Sequence, residues 1–98
     1  MFDHFEFGNF VVRKYIDFHF NPKKPLYMQI NELKEDLIQI EYETGYILDV
    51  GWYPEFKFQG CFKICISKSC EKIYEKKTRD VKKLQLLVKE AVDLINNN

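Results

Sequence analysis

The stretch IQIEYETGYILDVGWY, residues 38–53, constrains the fold more than any other part of this chain. Ile38, Ile40 and Tyr42 alternate with polar residues, Glu43-Thr44-Gly45 follows, and Tyr46, Leu48, Val50 and Trp52 alternate on the way back. Three-residue hairpin loops favour glycine at the third position, where a left-handed backbone closes the bulge. A loop of that length pairs Tyr42 with Tyr46, Ile40 with Leu48 and Ile38 with Val50. One face of the ribbon is then wholly apolar, while Gln39, Glu41 and Asp49 collect on the other. A two-residue loop would mix the faces. Leu26, Ile30, Leu33, Leu37 and Ile40 also fall at helical spacing, so a helix ending at Gly45 is the competing reading of residues 26–44. The hairpin ranks first and the helix second.

The flanks extend a sheet. In residues 10–20, Phe10, Val12, Lys14, Ile16, Phe18 and Phe20 alternate with Val11, Arg13, Tyr15, Asp17 and His19, which predicts one long strand. It stops at NPKKP, where two prolines remove amide donors and bias their predecessors away from helix. Asn31 is expected to cap a short helical turn over residues 31–36. A connection over residues 54–60 leads to Phe62, Ile64 and Ile66 on one face with Cys61, Lys63, Cys65 and Ser67 opposite. Residues 72–77 read as a lysine-rich edge strand, of the kind that discourages pairing with foreign strands. After Thr78 or Asp80 as cap, Val81, Leu84, Leu87, Val88, Ala91, Leu94 and Ile95 form one apolar stripe. The three closing asparagines read as a frayed tail. Nine Phe, six Tyr and one Trp favour strands. Ninety-eight residues enclose one core. Residues 1–98 are therefore expected to form a single α+β domain: an antiparallel, mostly meandering β-sheet with a C-terminal α-helix packed on its apolar face.

Several function classes are excluded early. Hydrophobic residues at 46% and charged residues at 31% do not suit a disordered tail or a collagen-like repeat. The longest aliphatic or aromatic runs are three residues, against roughly 20 for a bilayer span, so no membrane association is expected. MFDHFEFGNF lacks a basic stretch followed by an apolar run, which argues against a signal peptide. Cys61, Cys65 and Cys70 cannot pair completely and lie too close together for a structural staple, so the expected compartment is cytoplasmic. The GxxxxGK[ST], GxGxxG, HExxH and GxSxG fingerprints are absent, and the cysteines with His4 and His19 lack the paired CxxC knuckles of zinc sites. No enzymatic activity, cofactor or metal is expected. His19, opposite Phe18 and Phe20, reads as a strand-end residue rather than a base.

Charge is balanced overall, fifteen against fifteen, but not along the chain. Residues 32–55 set seven carboxylates against Lys34 alone, a local charge of minus six. Residues 72–83 set six cations against Glu75 and Asp80, a local plus four. Either run can be a solvated surface, and the acidic one can also steer a basic partner.

YILDVGWYPEF, residues 46–56, is followed by Gly60, the strand CFKICISK and the helix TRDVKKLQLLVKEAV. Together these resemble the small immunity proteins of bacterial polymorphic toxin systems, including contact-dependent growth inhibition. The likeness covers about the C-terminal half and centres on DVGWYPE. It implies a protein that performs no chemistry. Such a protein binds a cognate toxin C-terminal domain, for instance a nuclease-type effector, and blocks its active site or substrate access inside the producing bacterium. The residues able to make such contacts are the polar face of the hairpin and its rim: Gln39, Glu41, Glu43, Asp49, Tyr53 and Glu55. Tyrosine supplies rigid contact area, and carboxylates cover basic groups. Trp52, on the apolar face, reads as a core anchor. A second class is a nucleic-acid-binding module using residues 72–83 with sheet aromatics, against which the basic run alternates with acids and the polar face has the wrong sign. A third, a small hydrolase using Asp49, Glu55 or His19, rests on residue types alone. The sequence leaves the oligomeric state open.

Overall fold

The computed structural model describes residue 2 and residues 4–97. Five strands, β1 (Val11–Ile16), β2 (Ile38–Tyr42), β3 (Tyr46–Tyr53), β4 (Cys61–Lys68) and β5 (Glu71–Thr78), form one antiparallel sheet in the order β1-β2-β3-β4-β5. The helix α1 (Val81–Asn96) follows. The architecture is the α+β meander expected.

The hairpin register is that of the three-residue loop. Ile40 faces Leu48 and Ile38 faces Val50. Gly45 adopts φ +94 and its N–H donates to the Tyr42 carbonyl at 2.9 Å. The helical reading of residues 26–44 is thereby excluded over the hairpin arm. β4 continues the pattern, pairing Leu48 with Ile66, Val50 with Ile64 and Trp52 with Phe62. All six of these side chains are buried.

The helix seals this apolar face. Asp80 caps α1, its carboxylate accepting from the Lys82 N–H at 2.9 Å. Leu84, Val88, Ala91, Val92 and Ile95 are buried. Leu94, expected in the stripe, is exposed, and Val92 takes the inward position instead.

Expectations fail in the first third of the chain and at residue 96. The first strand ends at Ile16 rather than at residue 20. β1 is an edge strand with a bulge between Val11 and Arg13, and Val12 is 65% exposed despite its place in the even series. Phe18 and Phe20 are buried outside the strand, packing on Phe62 at 6.1 and 5.6 Å between ring centroids. Asn31 caps nothing over residues 31–36. The helical piece is a 3-10 segment, Leu26–Glu32, interrupted at Gln29 and preceded by Pro25. The Gln29 amide staples the preceding loop by donating to the Asn21 and Lys24 carbonyls. The C-terminal tail is not frayed at Asn96, which lies in α1. Its amide donates to the Val92 and Phe7 carbonyls, and its oxygen accepts from the Asn9 N–H at 2.9 Å. Asn98 lies outside the described residues.

Those contacts hold an N-terminal aromatic arm. Phe2 and Phe7 are buried, and the Tyr42 hydroxyl donates to the Phe7 carbonyl at 2.6 Å. Burial pushes the Tyr42 phenol up to about 12, so it remains a donor. The arm and α1 thus cover one side of the sheet. No described helix is long and apolar enough to cross a membrane.

Candidate binding face of the sheet

Among the described residues no helix or strand covers the opposite side of the sheet, which only the chain around Glu35 crosses, over Gly51. Adjacent residues on one side of an antiparallel sheet align in rows across the strands. The central row reads Tyr15, Gln39, Asp49, Cys65 and Glu75. Beside it run Arg13, Glu41, Ile47, Ser67 and Lys72, and on the other flank Gly51, Lys63 and Lys77.

Gly51 shapes the acidic part of this face. The Trp52 N–H donates to the Lys34 carbonyl at 2.7 Å and the Leu37 N–H donates to the Val50 carbonyl at 3.1 Å. The chain between those anchors folds over Gly51, and any side chain there would overlap the Glu35 carbonyl oxygen. Glycine within a strand permits such a backbone approach. Glu35 and Asp36 are thereby brought beside Asp49 and Tyr53. Burial, and secondarily Asp36, raises the Asp49 carboxyl above its ordinary value. Among the described residues no lysine or arginine forms an ion pair with Asp49. Tyr53 is pushed up to about 12, first by burial and then by Asp49, Glu35 and Asp36, so its phenol stays protonated. Tyr15, Asp36, Ile38, Gln39 and Asp49 line a cleft of about 370 Å³.

The residues expected to bind separate into groups. Gln39 and Asp49 are direct cross-strand neighbours, and Tyr53 stands on the same face of β3. Glu41 shares the face, but its carboxylate is engaged by Arg13 at 3.4 Å. Glu55 is exposed beyond Pro54, its carboxylate accepting from the Glu35 N–H at 3.3 Å. Glu43 lies apart in the hairpin turn, its N–H donating to the Phe10 carbonyl. Sequence reasoning missed Tyr15, Glu35 and Asp36 as members of the face. The one available signal was Gly51, a glycine inside an otherwise apolar strand.

Across β4 and β5 the charge reverses. Lys63 lies 4.7 Å from the centre of the Tyr53 ring and 3.8 Å from Glu75. Glu75 also pairs with Lys72 at 2.8 Å, and that hydrogen bond holds its carboxyl below the ordinary value. Cys65 lies 3.6 Å from the same carboxylate, and burial followed by Glu75 raises its thiol. This thiol is a poor nucleophile. Strand alternation divides the basic run of residues 72–83. Lys72 and Lys77 share the open face, whereas Lys76 pairs with Ile64 on the other. Arg79 is exposed but folds back on the connection over residues 54–60, donating to the Gly60 carbonyl and lying 4.7 Å from the Phe58 ring and 5.6 Å from that of Trp52. Trp52 itself is fully buried, its indole donating to the Lys57 carbonyl at 2.7 Å.

Asp17, at the end of the sheet, binds both His19 and Lys34 at 2.9 Å, and Lys34 holds its carboxyl below the usual range. Among the described residues no group of three or more His, Cys, Asp or Glu is placed to hold a metal ion. No protein family, curated protein or solved structure matches this chain.

Proposed function

We propose that this chain is an immunity protein of the cytosol, binding the C-terminal domain of a bacterial toxin through the open face of its sheet and blocking that domain's active site or substrate access. One observation carries the reading. Asp49 is half-buried on a face that no described helix or strand covers, and among the described residues it has no ionic partner. A carboxylate in that state gains most when a partner supplies a cation and excludes water. Tyr53 beside it offers rigid aromatic area of the kind that dominates interfaces. The resemblance of DVGWYPE to immunity proteins supports the same segment, since it contains both residues.

Co-expression tests the proposal. Bacteria making this chain should survive induction of the toxin domain encoded beside it, and continued killing would sink the assignment. Within the complex, Asp49→Lys should weaken binding by roughly tenfold or more, as measured by titration calorimetry. Glu43→Lys, out at the hairpin tip, should leave the affinity unchanged. The reverse order of effects would move the interface to the turn.

A further inference from the structure

On the open face carboxylates outnumber cations over β1 to β3, and lysines outnumber carboxylates over β4 and β5. Asp36, Glu41 and Asp49 stand against Arg13 on the first side, and Lys63, Lys72 and Lys77 against Glu75 on the second. Along β3 and β4 the face presents Ile47, Tyr53, Cys61, Cys65 and Ser67 with Asp49 and Lys63 among them, while Gly51 lies beneath the Glu35 backbone.

We propose that a second copy of this chain docks on this face, about a two-fold axis lying in the interface, parallel to the strands and between β3 and β4.

A two-fold interface uses one patch on both subunits, so the patch must complement itself. Rotation about this axis lays β2 over the partner copy's β5 and β3 over its β4. The rows of the sheet map onto themselves. Glu41 then faces Lys72 of the other copy, and the Asp36 corner faces Lys77. Asp49 meets Cys65 rather than its own symmetry mate. Rotation in the same sense about β3 itself would put Asp49 on Asp49, which like-charge repulsion disfavours.

Area sets the strength. Three strands of eight residues and one of five cover a face of about 460 Å² per copy, or ~900 Å² in all. That lies below the range of stable specific complexes and within that of transient ones, so the dimer should be weak and concentration-dependent. Zero net charge removes the long-range repulsion that would oppose it. The inference does not depend on the toxin reading, although both occupants would use one face.

Sedimentation equilibrium of the whole chain, taken up to about 1 mM at low and high salt, tests it. The expected result is a reversible monomer–dimer equilibrium that weakens as salt rises. Asp36→Lys alone and Lys77→Glu alone should each weaken it by about tenfold or more, because each creates two like-charge contacts in the symmetric dimer. Both side chains are exposed, so the fold is not at risk. An equimolar mixture of the two single variants should recover dimer, since both contacts in the mixed pair are again of opposite sign. A monomer at every concentration overturns the proposal. So does a dimer indifferent to both substitutions, or a mixture that fails to recover.

Discussion

Asp49 illustrates how one side chain can oppose folding and favour binding. Its carboxyl is raised by burial and by Asp36, so the folded chain holds the proton more tightly than the unfolded chain does. Stability therefore falls as pH rises through the window above the ordinary value of 3.8, and the loss persists at neutral pH. Asp49→Asn should raise the melting temperature at pH 7 and lose that advantage near about pH 3, where the wild-type carboxyl is also neutral. Thermal denaturation at the two pH values checks this. An equal shift at both would mean that packing, not charge, sets the effect. Under the proposed function, the same substitution should weaken binding of the toxin domain. Gly51 has the complementary part, since its missing side chain leaves room for the chain that carries Glu35 and Asp36 over the sheet.

The strands and helix differ in how plainly they are written in the sequence. β2, β3 and β4 sit at the centre of the sheet, where one buried face enforces strict alternation, and Gly45 fixes the register by its positive φ. Asp80 similarly announces α1. β1 is less legible because an edge strand with a bulge needs no alternation, and the buried Phe18 and Phe20 mimic strand periodicity while packing from a segment without ladder pairing on both sides. The 3-10 segment escaped because Pro25 and the Gln29 staple determine it, rather than the side-chain capping expected at Asn31. The binding face was legible as Gln39, Asp49 and Tyr53, but Tyr15, Glu35 and Asp36 join it through pairings that no local pattern records. The basic run is solvent-exposed, in keeping with its reading as a solvated surface, but its members face different ways. Arg79 belongs to the connection over residues 54–60, which it ties to Trp52 and Phe58. Arg79→Ala should cost about 1–2 kcal/mol from the lost hydrogen bond and ring contacts. Trp52 is the single tryptophan, so urea denaturation followed by its fluorescence reports both the stability and the exposure of the indole. An unshifted midpoint would show that the guanidinium contributes nothing there.

The molecule as a whole is closed by contacts between its two ends. Asn96 receives the Asn9 N–H and donates to the Phe7 carbonyl, which also accepts the Tyr42 hydroxyl. Asn96→Ala should release Asn9 and loosen the aromatic arm, costing roughly 1–2 kcal/mol. Hydrogen exchange should quicken at Asn9 before it does in β3 and β4. Uniform acceleration would mean that the arm and the sheet open together.

Every strand in this sheet pairs with its immediate predecessor, whereas the arm closes against a residue nearly ninety positions away. During synthesis the hairpins can form as they leave the ribosome, but Phe7 and Asn9 cannot find Asn96 until that residue has been made. Until then the growing chain carries the aromatic arm around Phe7 without that closure. Such exposed aromatic surface invites chaperones and aggregation alike.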